Sequence, residues 1–132
     1  MRNRGAVVIV ENEKVALIRR EKMGRIYFVF PGGGIEDGET IEQCAKREAY
    51  EELGVEVEVQ ELLTQVSFNG TQYYFSAKII GGEFGTGQGE EYSDTSRGKY
   101  LPVWVELKKL HTLDVVPSEV VQQLLEKHKD KC

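Results

Sequence analysis

The sequence predicts an α/β fold in which a mixed β-sheet is flanked by helices, a layered α/β/α arrangement. Short runs of β-branched and aromatic residues occur along the chain, and they are interrupted by segments with helical periodicity and capping residues. The chain has 132 residues, of which 40% are hydrophobic, and no change of composition suggests a linker. We therefore expect residues 1–132 to form a single domain.

The chain begins with strand-like runs. Residues 6–10 (AVVIV) and 15–20 (VALIRR) are separated by the short polar turn ENEK, so they are predicted to form a hairpin. Residues 26–30 (IYFVF) form the next predicted strand, which ends before Pro31. Residues 31–39 (PGGGIEDGE) are predicted to be a loop, because three successive glycines disfavour both helix and strand.

The next segment predicts a helix over residues 40–53. Thr40 and Gln43 have the spacing of a capping box, the following run contains neither proline nor glycine, and Gly54 supplies a stop. Both ends of this helix are thus marked by local signals.

The second half of the chain returns to strands. Residues 55–60 (VEVEVQ) alternate with period two, and residues 71–80 (TQYYFSAKII) are rich in aromatic and β-branched side chains. Residues 81–99 are predicted to form a long, polar, glycine-rich loop, which in a small domain is usually functional or disordered. Residues 100–107 (YLPVWVEL) are predicted to be a strand.

The last predicted element is an amphipathic helix over residues 119–128, with Ser118 as its N-cap. Its apolar side chains share one face and are expected to cover the sheet. They are Val120, Val121, Leu124 and Leu125.

Composition excludes several classes of partner. The net charge of -5 and the absence of a basic run argue against a nucleic-acid polymer or an anionic membrane surface. No apolar stretch approaches the roughly 20 residues of a membrane span, and the apolar run near the N-terminus is too short for a secretion signal. We expect a cytoplasmic protein whose cysteines, Cys44 and Cys132, are free thiols.

The C-terminal end of the first predicted helix carries an unusual concentration of acid. Glu48, Glu51 and Glu52 share one side of the helix, because each residue turns it by about 100°. These charges repel one another and stand at the negative end of the helix dipole. A solvated acidic face is one interpretation. A divalent cation would remove the repulsion, and carboxylate oxygens suit Mg²⁺ or Mn²⁺.

The whole segment resembles the Nudix box, the signature of a family of hydrolases. Every constrained position of that motif is filled at its proper spacing, and only the alanine is small for its aliphatic position. The matching residues are Gly33, Glu39, Arg47, Glu48, Ala49, Glu51, Glu52, Gly54 and Val55. The chain length, the FPGGG approach and the C-terminal helix are also similar to a Nudix domain, so the expected fold is the Nudix α/β/α sandwich.

The resemblance implies a function. Nudix hydrolases use Mg²⁺ or Mn²⁺ to cleave the pyrophosphate bond of a nucleoside diphosphate linked to another group. A nucleoside triphosphate pyrophosphohydrolase is the first expectation. Dinucleoside polyphosphates and nucleoside diphosphate sugars are alternative substrates, and a non-catalytic nucleotide sensor is an alternative of another class.

The resemblance also implies roles for individual residues. The expected catalytic residues are Glu51, Glu52 and Arg47, with Glu51 as a metal ligand or as the base that orients water, and with Arg47 holding the carboxylates. The expected metal ligands are Glu48, Glu51, Glu52 and the carbonyl of Gly33. The predicted loop offers Glu90 and Glu91, of which Glu91 is the favoured further ligand, with a solvated loop charge as the alternative.

Substrate contacts are expected from residues outside the acidic helix. One of Arg19 and Arg20 could reach the diphosphate while the other points to solvent, because the strand turns them to opposite sides, and a surface role for either is the alternative interpretation. Tyr73 lies where related enzymes acting on dinucleoside polyphosphates carry a tyrosine. The backbone of Gly32, Gly33 and Gly34 is expected to approach the phosphates. An exposed edge strand over residues 55–60 can pair with a second copy, so a homodimer is a further possibility.

Overall fold

A computed structural model describes residues 2–86 and 99–128. Its strands are β1 (Arg4–Glu11), β2 (Lys14–Lys22), β3 (Arg25–Val29), β4 (Gly32–Gly34), β5 (Val55–Ser67), β6 (Thr71–Gly82), β7 (Lys99–Glu106) and β8 (Val115–Val116). The α-helices are α1 (Ile41–Leu53) and α2 (Ser118–His128), and a 3-10 helix covers Leu107–Thr112.

The strands form a mixed sheet with the order β5-β6-β1-β2-β3-β8, while β4 pairs with β1 and β7 pairs with β2. β1 runs parallel to β6, and β3 runs parallel to β8. The predicted β1–β2 hairpin pairs only next to its turn, at Val10 with Val15 and at Glu11 with Lys14. Beyond this point the strands diverge, and each pairs with other strands.

The sheet is buried on both faces. Val7 and Ile9 of β1 point to the side covered by α1, whereas Ala6 and Val8 point to the side covered by α2. This alternation follows from the two-residue period of a strand. The expected mixed sheet between helices is thus confirmed.

The first helix is capped as its sequence predicts. The backbone N–H of Gln43 donates to the Thr40 side chain at 3.1 Å, and the N–H of Thr40 donates to the Gln43 side chain at 2.8 Å. At the other end, Gly54 adopts a left-handed conformation with φ 82°, and its N–H donates to the Tyr50 carbonyl. The segment therefore begins and ends where local chemistry directs.

The glycine segment was predicted to be a loop, and this prediction is wrong. Gly32, Gly33 and Gly34 form β4 and pair antiparallel with Ala6, Gly5 and Arg4 of β1. A Cβ on Gly32 would stand 2.5 Å from the Cβ of Ala6. The glycines therefore weaken strand propensity but permit an unusually close approach to β1.

Other element boundaries also differ from prediction. β5 continues to Ser67, beyond the predicted end at residue 60, and reaches β6 through a turn in which Asn69 and Gly70 have positive φ. α2 begins at Ser118, which was expected to precede the helix as its cap. None of the helices in the described ranges has the length and apolar character required to cross a membrane.

Candidate functional site

The acidic residues of α1 differ in burial. Glu48 and Glu52 lie one helical turn apart and are only 9% and 8% exposed. The side chain of Glu51 is 43% exposed. Carboxylates are seldom buried so deeply in a helix without partners, so this face of α1 is not simply a solvated surface.

Arg47 holds several of these acids together. Its Nε donates to Glu39 Oε2 at 2.7 Å, and its Nη1 donates to Oε2 of Glu48 at 2.8 Å and to Oε2 of Glu51 at 3.1 Å. Its Nη2 donates to the carbonyl of Gly34 at 3.0 Å. Part of the repulsion within α1 is therefore offset by this guanidinium.

The same contacts shift the ionisation of both partners. The hydrogen bond from Arg47 lowers the pKa of Glu39 below its ordinary value, more than burial raises it. The hydrogen bond to Glu39 raises the pKa of Arg47. Both groups are therefore fully charged at neutral pH, as an ion pair with fixed geometry requires.

The strand β4 lies directly against the buried acids. The N–H of Gly32 donates to Glu52 Oε2 at 2.6 Å. Any Cβ on Gly33 would collide with the carboxylate of Glu48. The Gly33 carbonyl accepts a weak hydrogen bond from the Cys44 thiol, with Sγ at 3.3 Å, and burial raises the pKa of this thiol. Cys44 is a free thiol, as predicted, and Cys132 lies outside the described residues.

A cleft of about 800 Å³ opens beside these groups. Glu48, Glu52, Gly32 and Gly33 form one part of its lining, and guanidinium and aromatic side chains form much of the rest. Residues expected to bind metal thus face residues able to bind phosphate oxygens. Such a cleft suits a ligand that carries a metal ion on its phosphates.

The carboxylate and carbonyl oxygens of the cleft are the type of ligand that Mg²⁺ prefers. Among residues 2–86 and 99–128, no group of three His, Cys, Asp or Glu side chains is arranged to hold a metal ion. Mg²⁺ does not require such a cage, since it usually binds one or two carboxylates and completes its shell with water and substrate phosphates. Glu48 and Glu52, next to the backbone of Gly33, meet that requirement.

The residues expected to bind substrate fall into two groups. Arg20 lines the cleft together with Gly32 and Gly33. Arg19 points away from it and lies 3.7 Å from Glu21. Tyr73 packs with the core on the α1 side, outside the cleft. Glu91 lies outside the described residues.

Gly34 is also absent from the cleft lining, and its carbonyl is held by Arg47.

Arg20 is positioned by aromatic contacts. Its guanidinium lies over the ring of Tyr100, 4.3 Å from the centroid, and donates to the Tyr100 hydroxyl at 2.5 Å. The ring of Tyr27 lies on it as well, at 5.3 Å.

The cleft also contains residues that the sequence did not indicate as functional. These are Arg2, Arg4, Phe68 and Tyr100, among others. A faint signal existed for the arginines, because positions two apart at the start of a strand face the same side. No local sequence signal indicated that Phe68 lies in the same cleft as the acids of α1. Its side chain is 65% exposed at the β5–β6 turn.

Comparison with known proteins points to one family. The model of the NUDIX domain matches residues 1–124. An RNA pyrophosphohydrolase of Tolumonas auensis is 37% identical over 78 residues, which are 59% of this chain and 43% of the relative. A putative nudix hydrolase 1 of Caenorhabditis elegans is 38% identical over 93 residues, 65% of this chain and 26% of the relative. The chain thus matches less than half the length of these curated relatives.

Solved structures show the same fold. A NUDIX hydrolase from Nitrosomonas europaea superposes with a TM-score of 0.77 at 23% identity, covering 98% of this chain and 90% of the other. An ADP-ribose pyrophosphatase from Streptococcus suis superposes with a TM-score of 0.72 at 18% identity, covering 96% and 90%. At these identities the likeness concerns the fold.

Proposed function

The chain belongs to the Nudix family, and we propose that it is a metal-dependent hydrolase that cleaves the pyrophosphate bond of a nucleotide derivative. The observation that carries this proposal is the pair of buried carboxylates, Glu48 and Glu52, which face a side-chain-free strand within a cleft. Burying two acids one turn apart is costly unless cations accompany them. Pyrophosphohydrolase relatives and the filled Nudix box support the same reaction.

The chemistry divides between the ion and the protein. A divalent ion, when bound, neutralises the diphosphate and lowers the pKa of the attacking water. Glu48, Glu52 and the carbonyl of Gly33 would hold it, with Glu91, which lies outside the described residues, as a further candidate. Glu51, whose side chain is partly exposed, orients the water or adds a ligand.

The other residues position these groups. Arg47 fixes the rotamers of Glu39, Glu48 and Glu51 through its hydrogen bonds. Arg20, stacked on Tyr100, presents its guanidinium to the phosphates of the substrate. Water then attacks phosphorus while the remaining phosphates leave as the other product.

We propose a nucleoside triphosphate as the substrate, hydrolysed to the monophosphate and pyrophosphate. Dinucleoside polyphosphates and nucleoside diphosphate sugars are alternative substrates, because their cleavage breaks the same type of bond. The names of several relatives favour the triphosphate end of an RNA as a second candidate, which would require contacts to that end but not to the rest of the polymer, against which the net charge of -5 argues. A non-catalytic sensor is less favoured, because such domains commonly lose carboxylates of the box and this chain has all of them.

The decisive test combines a substrate panel with Glu52→Gln. Wild-type protein is assayed with nucleoside triphosphates, dinucleoside polyphosphates, nucleotide sugars and a 5′-triphosphate RNA, each with Mg²⁺, with Mn²⁺ and with EDTA. Products are resolved by chromatography. We expect metal-dependent turnover that falls at least about 100-fold in Glu52→Gln, since metal-site residues supply several kcal/mol to such barriers.

Glu42→Gln is the matched control, because Glu42 is an exposed acid on the same helix and does not line the cleft. It should keep wild-type turnover. Circular dichroism verifies that both variants are folded. Near-normal turnover in Glu52→Gln would remove the metal assignment, and tight nucleotide binding without product would favour a sensor.

A further inference from the structure

Arg2 and Arg4 place a second pair of charges in the cleft, beside the strand that faces the acids. Nη2 of Arg4 donates to the carbonyl of Gly32 at 3.3 Å, and Nε of Arg2 donates to the carbonyl of Ile35 at 3.2 Å. Both side chains line the cleft. The two guanidiniums therefore flank β4 on the side open to a ligand.

The described part of the chain shows no ion pair at either of these arginines. Within the described ranges 2–86 and 99–128, neither Arg2 nor Arg4 has a carboxylate at ion-pair distance, whereas Arg19 and Arg25 each have one and Arg47 has four. Each guanidinium has five N–H donors, and the hydrogen bonds to the Gly32 and Ile35 carbonyls occupy only part of them. The remaining donors face the cleft or solvent and can bind an anion.

Asn3 fixes the segment that carries both arginines. Its backbone carbonyl accepts from the N–H of Ile35 at 3.0 Å, and its side-chain oxygen accepts from the N–H of Thr71 at 3.0 Å. Gly34 has no side chain where the guanidinium of Arg2 crosses β4, and a Cβ there would collide with it. The arginines are thus held in place before any ligand binds, which lowers the entropic cost of binding.

We propose that Arg2 and Arg4 bind the terminal phosphate of the substrate and so select phosphate-terminated nucleotides over nucleotide sugars. The inference rests on the proposed function. Arg4 contacts Gly32, whose N–H contacts Glu52, so an anion on the arginines adjoins the diphosphate at the acids. The third phosphate of a triphosphate occupies that position. A neutral sugar at the same position would remove water from the two guanidiniums without supplying a negative charge to interact with them.

The first arm of the test measures binding without catalysis. Inorganic triphosphate is titrated calorimetrically into wild-type protein and into the Arg2→Gln/Arg4→Gln double variant, with and without Mg²⁺, at low ionic strength. We expect the Kd to rise at least about tenfold in the double variant, which corresponds to about 1.4 kcal/mol. Arg25→Gln removes the same type of charge from an exposed site outside the cleft and should leave the Kd within about twofold.

The second arm measures specificity. In the double variant, kcat/KM for a nucleoside triphosphate should fall at least about tenfold, mainly through KM, while kcat/KM for a nucleoside diphosphate sugar changes by less than about twofold. Equal losses for both substrates would overturn the inference, and so would an unchanged Kd or an equal rise in Arg25→Gln. If no nucleotide is hydrolysed at all, the proposed function fails, and the binding arm still decides the role of the arginines.

Folding of the double variant is checked by circular dichroism. If it is unfolded, the single variants Arg2→Gln and Arg4→Gln replace it, each with an expected rise in Kd of about threefold or more. Wild-type protein that does not bind triphosphate in either buffer would refute the inference.

Discussion

At the scale of single residues, the absence of a side chain at Gly33 is as important as the presence of the acids. Glu48 can be buried beside β4 only because Gly33 leaves room for its carboxylate. Gly33 is therefore needed so that Glu48 can pack beside β4, and it also allows the backbone to come close to a ligand. Gly54 is needed for its positive φ as well as for room, because a Cβ there would collide with Thr86.

Gly33→Ala should consequently displace the carboxylate of Glu48. We expect turnover to fall about tenfold to 100-fold, because small displacements of catalytic groups have effects of this size. Overpacking should also lower the free energy of unfolding by about 1–3 kcal/mol. Steady-state kinetics with Mg²⁺ and urea denaturation measure the two effects.

Gly81→Ala is the control for this substitution. Gly81 lies in β6, where the nearest atom to an added Cβ is 3.5 Å away, an ordinary contact. Its turnover and stability should remain near wild type. Unchanged turnover in Gly33→Ala would show that the Glu48 carboxylate tolerates movement.

At the scale of elements, the sequence predicted correctly those helices and strands whose ends are determined by neighbouring residues. The helix α1 was predicted correctly at both ends, because Thr40, Gln43 and Gly54 act within a few residues of the helix. The strand β4 was missed, because its partner β1 lies far away in the chain and glycine has little strand propensity of its own.

The candidate site divides in the same way. The acids of α1 share one side of a helix, so their grouping follows from sequence spacing alone. The approach of Arg2 and Arg4 depends on Asn3, which joins the N-terminal segment to Ile35 and Thr71. The hydrophobic periodicity of the sequence does not predict a contact between such distant segments, so only the three-dimensional structure reveals it.

The N-cap offers a prediction at this scale. Thr40→Ala removes the acceptor for the Gln43 N–H and should lower the free energy of unfolding by about 1 kcal/mol. Turnover per folded molecule should change little, because Glu48 and Glu52 lie in the last turns of the helix. Urea denaturation and kinetics measure these quantities.

Thr40→Ser supplies the control, since serine retains the hydroxyl acceptor and should restore most of the stability. A Thr40→Ala protein as stable as wild type would mean that packing alone fixes the start of α1. A loss of turnover well beyond the loss of folded protein would mean that the cap also positions the acids.

At the scale of the whole molecule, one sheet separates two apolar cores that share the same strands. Leu17 of β2 packs on the α2 side, while its neighbour Ile18 packs on the α1 side, and both are at most 1% exposed. A defect in one core is therefore transmitted through β2 to the other. We expect the two sides to unfold together.

Leu17→Ala tests this expectation. The substitution should lower the free energy of unfolding by about 2–5 kcal/mol. The fluorescence of Trp104, which packs on the α1 side, should then lose its folded signal at the same urea concentration as the circular dichroism of the helices. A Trp104 transition that stays at the wild-type midpoint would show that the two cores are independent.

Lys22→Ala is the control, because this residue is exposed at the end of the same strand. Its midpoint should lie close to that of the wild-type protein, since surface substitutions usually change stability by less than about 0.5 kcal/mol.

The parallel pairing of β1 with β6 has a consequence for synthesis on the ribosome. Residues 4–9 are synthesised before residues 72–77, with which they pair, so the central strand has no partner in β6 until about 60 further residues have been added. Until then α1 has no complete surface to cover, and its acids and apolar side chains stay in water. Non-local pairing of this type slows folding, so the nascent chain should become resistant to protease late and in a single step.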